Sequence, residues 1–125
     1  GMRVLLAEDN DLNMEIAEFM LQSAGAEVTE ARDGREAVEL FRALPTGYFD
    51  AVLMDVMMPG LDGYQATGII RASERPDAGV PVIAMTANAF VEDRQRAREA
   101  GMTEHLPKPL DQAVLVQTLQ RWKKE

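Results

Sequence analysis

Short apolar runs alternate with amphipathic segments five times along this chain, the pattern of five strand-then-helix units. Val4 to Ala7 is the first run, bounded by Glu8-Asp9-Asn10. Asn10 or Asp11 then caps a helix whose apolar positions Ile16, Ala17, Met20, Leu21 and Ala24 recur at three and four and close at Gly25. Ala26 to Ala31 alternates, with Val28 between Glu27 and Thr29, which suits an edge strand. Asp33 with Glu36 forms a capping-box pattern, and Ala37, Val38, Leu40, Phe41 and Leu44 carry helix two until Pro45 and Gly47.

The next run, Ala51-Val52-Leu53-Met54-Asp55, is apolar without alternation and ends on a carboxylate. A strand covered by helices on both faces reads in this way, and its carboxyl end is the first place where it can bear a charge cheaply. Asp62 and Gln65 cap a third helix through about Glu74, followed by a loop at Arg75-Pro76-Asp77 and Gly79. Val80 to Met85 is strand four and ends on Thr86; Thr86 or Asn88 caps helix four through Ala100, closed by Gly101. Thr103 to Leu106 is short and polar, an edge strand, before Pro107-Lys108-Pro109 breaks the chain. Asp111 opens a last helix with Leu115, Leu119 and Trp122 on one stripe.

Five such units predict a parallel sheet with helices on both faces and right-handed crossovers. Every strand then ends on the same rim, where ligands bind in open α/β sheets. Glu8 and Asp9, Asp55, Thr86 and Lys108 meet there although they are scattered along the chain.

Composition narrows the chemistry. The 125 residues, 46% of them hydrophobic, make one domain, taken as residues 2–125; Gly1 ahead of Met2 reads as left over from cloning. A net charge of -8 argues against nucleic-acid binding and against contact with an anionic membrane, because phosphates repel such a surface. Without cysteine and with one histidine, disulfide frames, thiolate metal sites and histidine-rich sites are excluded. No apolar run reaches the ~18 residues of a membrane span and no signal peptide precedes the first strand, so a cytoplasmic domain is expected.

Three carboxylates brought together repel one another, so the cluster needs raised pKa values or a cation. An all-oxygen donor set selects a hard ion, Mg²⁺ above others, with Mn²⁺ as a substitute. A solvated acidic rim with Lys108 as counter-ion is the plainer reading. The hydroxyl of Thr86 and the ammonium of Lys108 argue against it, since both groups serve a phosphoryl group beside a metal-bound carboxylate. Asp55 is then the nucleophile.

With those residues in place, the chain resembles the receiver domains of two-component response regulators. The acidic pair Glu8-Asp9, the stretch Met54-Asp55-Val56-Met57-Met58-Pro59-Gly60-Leu61-Asp62-Gly63, the turn Met85-Thr86-Ala87 and Leu106-Pro107-Lys108-Pro109 stand in order at family-like intervals. The resemblance implies a flavodoxin-like (βα)5 three-layer sandwich, sheet order 2-1-3-4-5, and phosphorylation of Asp55 from a phosphohistidine donor, a reaction that the domain catalyses itself. It implies that Glu8, Asp9, Asp55 and the carbonyl of Met57 hold Mg²⁺, that Thr86 and Lys108 report the phosphoryl group, and that Lys108-Pro109 is a cis peptide. It implies too that Met57 and Asn88 tune how fast water removes that group. Where the family usually carries a tyrosine or phenylalanine switch residue, this chain has His105. The opening Leu6 to Ala17 looks like receivers fused to hybrid sensor histidine kinases, so a longer parent is expected, and a sensor histidine kinase or histidine phosphotransfer domain is the expected partner. Two alternatives are a pseudo-receiver that binds partners without being phosphorylated and a flavin-binding domain of the same fold. The intact acid, hydroxyl and lysine set weighs against the first; the lack of a Gly- and Ser/Thr-rich loop after strand one weighs against the second.

On helix one, Leu12 and Phe19, with Ser23 near their line, stand to one side of a core stripe read as Asn13, Met20 and Ala24. Either helix five covers this apolar shoulder or it seats the helical partner that presents a histidine to Asp55.

Overall fold

Strands and helices alternate through the chain as predicted: β1 (Arg3–Ala7), α1 (Asp11–Ser23), β2 (Glu27–Ala31), α2 (Gly34–Ala43), β3 (Ala51–Asp55), α3 (Gly63–Ala72), β4 (Val82–Thr86), α4 (Val91–Glu99), β5 (Glu104–Pro107) and α5 (Gln112–Arg121). This computed structural model describes residues 2–86 and 91–122, without the side chains of 91–93; Asn88, read as a helix cap and as a tuning position, lies outside the described residues.

The strands are parallel in the order β2-β1-β3-β4-β5, which leaves the two polar runs, β2 and β5, at the edges. Alternate residues of the inner strands face two separate apolar layers, as the pleat requires. Val4, Leu6, Ala51, Leu53, Ile83 and Met85 pack with Met14, Ala17 and Leu21 of α1 and Leu115 and Leu119 of α5. Leu5, Ala7, Val52, Met54, Val82 and Ala84 pack with Ala37, Val38 and Phe41 of α2, Ala66 and Ile70 of α3, and Ala97 of α4. The result is three layers, helix over sheet over helix. β3 is buried along its whole length, which is why its sequence shows no alternation.

Side-chain caps fix most helix starts. Asn10, rather than Asp11, accepts from Asn13 N at 2.9 Å, Asp33 accepts from Glu36 N at 2.8 Å, and Asp62 with Gln65 completes a reciprocal capping box. Gly25 and Gly101 close α1 and α4 at φ 89° and 96°, the left-handed conformation that glycine adopts without a Cβ clash.

Several boundaries differ from the sequence reading. β4 begins at Val82 instead of Val80, α3 ends at Ala72 instead of Glu74, and β5 runs one residue later than predicted. The α3 boundary has a local cause: Ser73 leaves the helix with ψ 150° and its hydroxyl donates to Ile70 O, competing with the next helical turn. The stripe on α1 is also different. Met14, Ala17 and Leu21 are the buried positions, while Ile16 is 45% exposed and Asn13 and Ala24 are exposed. Of the predicted stripe, Ala17 and Leu21 are buried and Met20 is partly so; Ile16 and Ala24 fall outside it and Met14 joins it, because so many small and apolar residues sit on this helix that two adjacent faces both look apolar.

Candidate functional site

The parallel register delivers the dispersed residues to one rim. Ala7 pairs with Met54, Asp55 with Met85 and Thr86 with Pro107, so Glu8, Asp55, Thr86 and Lys108 each stand at or just past the end of a neighbouring strand. Lys108 N donates to Thr86 O at 2.8 Å, which fixes the end of β5 against β4. The Lys108–Pro109 peptide is cis.

Glu8, Asp55 and Thr86 are buried, at 1%, 4% and 5% exposure. Lys108 bridges the two acids, Nζ lying 2.7 Å from Glu8 Oε1 and 3.1 Å from Asp55 Oδ2. The other Asp55 oxygen, Oδ1, accepts from Met57 N at 3.1 Å, and Asn10 N donates to Glu8 Oε2 at 3.4 Å. Both Asp55 oxygens are therefore held. Directly after Asp55 in the chain, Val56, Met57, Met58 and Pro59 line an open cleft with Asp9 and Asp62.

Burial raises the Glu8 carboxyl above its ordinary value, and its contact with Asp55 raises it further against the opposing pull of Lys108. Asp9 is also raised, by desolvation and then by its contact with Glu8. For Lys108, burial alone disfavours the charge, yet the hydrogen bond to Glu8 and the field of Asp55 outweigh it and hold the ammonium above its ordinary value. The cluster thus carries more negative charge than one lysine settles. One carboxylate oxygen from each of Glu8, Asp9 and Asp55 lies within 4.8 Å of the others, a donor set that fits a hard divalent cation such as Mg²⁺.

His105 does not join this constellation. It is half-buried on the α4 side of β5, opposite Ala84, in a cleft with Arg94, Ala97, Arg98 and Met102. Leu12 and Phe19 stand apart as well, on the outside of α1 at 64% and 71% exposure. α5 packs against α1 without covering them, and Ile16 completes the exposed row.

Sequence reasoning passed over two glycines that shape the rim. A Cβ on Gly63 would lie 2.3 Å from the carbonyl oxygen of Asp55, and one on Gly34 would lie 2.2 Å from Leu61 O. Their missing side chains let α3 begin directly against the end of β3 and let α2 pack on the loop between them. A glycine just inside a helix start, where propensity disfavours it, was the available signal.

A family profile described as the response regulator receiver domain matches residues 4–120. Sensor protein GacS of Pseudomonas syringae pv. syringae is 39% identical over 122 residues, which is 96% of this chain and 13% of that protein; the chain thus spans a small part of such relatives. Among solved structures, the receiver domain of sensor histidine kinase PA1611 from Pseudomonas aeruginosa PAO1, with a magnesium ion coordinated in its active-site cleft, superposes with a TM-score of 0.88 at 46% identity, covering 98% of this chain and 97% of that one. The receiver domain of Ssk1 from Saccharomyces cerevisiae, co-crystallised with the histidine phosphotransfer protein Ypd1, belongs to a structure that matches with a TM-score of 0.84 at 27% identity, over 97% of this chain and 88% of that one. Among the described residues no helix is long and apolar enough to cross a membrane.

Proposed function

Because the chain belongs to the receiver domains of two-component response regulators, we propose that it accepts a phosphoryl group from a phosphohistidine onto Asp55 as one step of a phosphorelay. The observation that carries this is a buried carboxylate with both oxygens held, by Lys108 Nζ and Met57 N, next to an open cleft lined by Asp9 and by Val56, Met57, Met58 and Pro59. An Asp55 oxygen attacks phosphorus, the O–P bond forms as the P–N bond breaks, and the imidazole leaves. Glu8, Asp9 and Asp55, with the carbonyl of Met57, would hold Mg²⁺. When bound, Mg²⁺ supplies positive charge for the phosphoryl oxygens. Lys108 Nζ lies within reach of the same oxygens, and the Thr86 hydroxyl donates to one of them. Thr86, whose carbonyl accepts from Lys108 N, then carries the occupied state toward β5. Incubation with acetyl phosphate and Mg²⁺, followed by intact-mass spectrometry, tests this reading: one phosphoryl adduct is expected, and chelation should prevent it. Tight Mg²⁺ binding without any adduct would replace this reading with that of a binding module.

The cluster's electrostatics predict a pH dependence. Glu8 holds its proton above the ordinary carboxylate value of 4.5 when folded, so the native state binds more protons than the unfolded chain in the range just above that pH. Metal-free stability should therefore fall as pH rises through this window. Added Mg²⁺ binds only the folded, deprotonated cluster, so its stabilisation should grow with pH. Urea midpoints with and without Mg²⁺ between acid and neutral pH check this; a metal effect independent of pH would exclude Glu8 from the ligands.

The exposed row of Leu12, Ile16 and Phe19 begins beside the acidic rim and is placed to seat a helical phosphotransfer domain, a partner class supported by the Ssk1–Ypd1 complex. Interfaces of this kind concentrate their energy in a few apolar anchors, and losing one can cost ~2 kcal/mol, roughly thirtyfold in affinity. Phe19→Glu should slow transfer from a cognate phosphohistidine protein to about that extent and leave labelling by acetyl phosphate unchanged. A parallel fall in both rates would make Phe19 structural; no change in either would remove the row from the interface.

A further inference from the structure

Seven of the eight methionines are withdrawn from solvent: Met2, Met14, Met54, Met58, Met85 and Met102 are buried and Met20 is partly so. Met57 is the exception at 75% exposure. It also occupies a consequential position. Its backbone N–H holds Asp55 Oδ1, and its side chain lines the mouth of the cleft with Asp9, Pro59 and Asp62. A thioether is apolar and flexible, and it offers water only a weak hydrogen bond.

We propose that Met57 is a methionine-oxidation site through which hydroperoxides shorten the life of the phosphoryl group on Asp55, an inference that rests on the phosphorylation proposed above. The sulfur lone pair attacks the protonated peroxide oxygen, the S–O bond forms as the O–O bond breaks, and the departing hydroxide, or alkoxide from an organic hydroperoxide, takes the proton from the oxygen now on sulfur and leaves as water or alcohol. Sulfur loses two electrons and the peroxide gains them. The product is a polar sulfoxide whose oxygen accepts hydrogen bonds. Placed at the cleft mouth, it holds water there more firmly than the thioether does, and water is the nucleophile that hydrolyses an acyl phosphate. The change is reversible by methionine sulfoxide reductases, so it can act as a switch rather than as damage.

Selectivity follows from burial. A buried methionine reacts only when the fold opens around it, and an opening free energy of 1.4 kcal/mol already slows reaction about tenfold.

The experiment treats the chain with hydrogen peroxide, maps methionine sulfoxide by peptide mass spectrometry, and then follows loss of the phosphoryl group after acetyl phosphate is removed. Met57 should oxidise at least about tenfold faster than the six buried methionines. The phosphoryl lifetime should fall by about threefold or more as water gains access and recover after reductase treatment. Met57→Leu, compared with its own untreated rate, should not respond to peroxide. Oxidation of another methionine first, an unchanged lifetime in treated wild type, or an equal response in Met57→Leu would overturn the proposal. If neither treated nor untreated protein is labelled, the reading of Asp55 fails and the effect on lifetime with it. The peptide map still decides whether Met57 is selectively oxidised.

Discussion

Asp55→Asn is expected to carry no phosphoryl group after incubation with acetyl phosphate and Mg²⁺, under conditions that label the wild type. The amide preserves the volume of the side chain, and its oxygen can still accept from Met57 N or lie beside Lys108 Nζ, so β3 and the rim should keep their shape. What is lost is the anionic oxygen. A neutral amide is a poor nucleophile toward phosphorus, so the labelling rate should fall to background. Equal labelling of both proteins by intact mass would move the phosphoryl group to another residue. The substitution should also relieve repulsion with Glu8, whose carboxyl is held up partly by Asp55, and the metal-free variant is therefore expected to unfold no more readily than the wild type.

Lys108→Ala acts on the same electrostatics with the opposite sign. Lys108 Nζ is the cation held between Glu8 and Asp55, whose side chains are only 2% and 6% exposed. Its removal leaves two buried carboxylates facing each other. Breaking a buried ion pair from one side typically costs 3–5 kcal/mol; because the lysine is partly exposed, and a proton can be taken up in its place, a metal-free loss of roughly 1–3 kcal/mol at neutral pH is expected. Acid should recover much of it, since the carboxylates are then neutral. Mg²⁺ should recover it too, with affinity kept or raised, because a competing cation has left an anionic pocket. Any change in the domain that phosphorylation brings about in the wild type should nevertheless be lost. Urea unfolding at acid and neutral pH with and without Mg²⁺, together with calorimetric titration of the metal, checks the stability loss and both recoveries; tryptophan fluorescence before and after acetyl phosphate checks the fourth expectation. A clear fall in Mg²⁺ affinity in a folded variant would contradict the arrangement.

The sequence by itself determined the five strand-and-helix units, the buried character of β3, the polar edges β2 and β5 and the gathering of Glu8, Asp9, Asp55, Thr86 and Lys108 on one rim. These features are legible because a parallel sheet leaves strong local marks: unbroken apolar runs inside, capping residues at helix starts, glycine at helix ends. Parallel pairing then sends every strand's carboxyl end the same way, so topology alone assembles the cluster. Tertiary structure decided what depends on the distance between segments far apart in the chain. The stripe on α1 was right at Ala17 and Leu21 and wrong at its margins because burial is settled by what packs against a helix; α5 and the sheet select Met14, Ala17 and Leu21, leaving Leu12, Ile16 and Phe19 outside. The roles of Gly34 and Gly63 exist only where one backbone meets another. So too with charge: no pattern along the chain says that Lys108 touches Glu8 across 100 residues, or that Met57 is the most exposed of eight methionines, because contact and exposure belong to the folded surface and not to the order of residues.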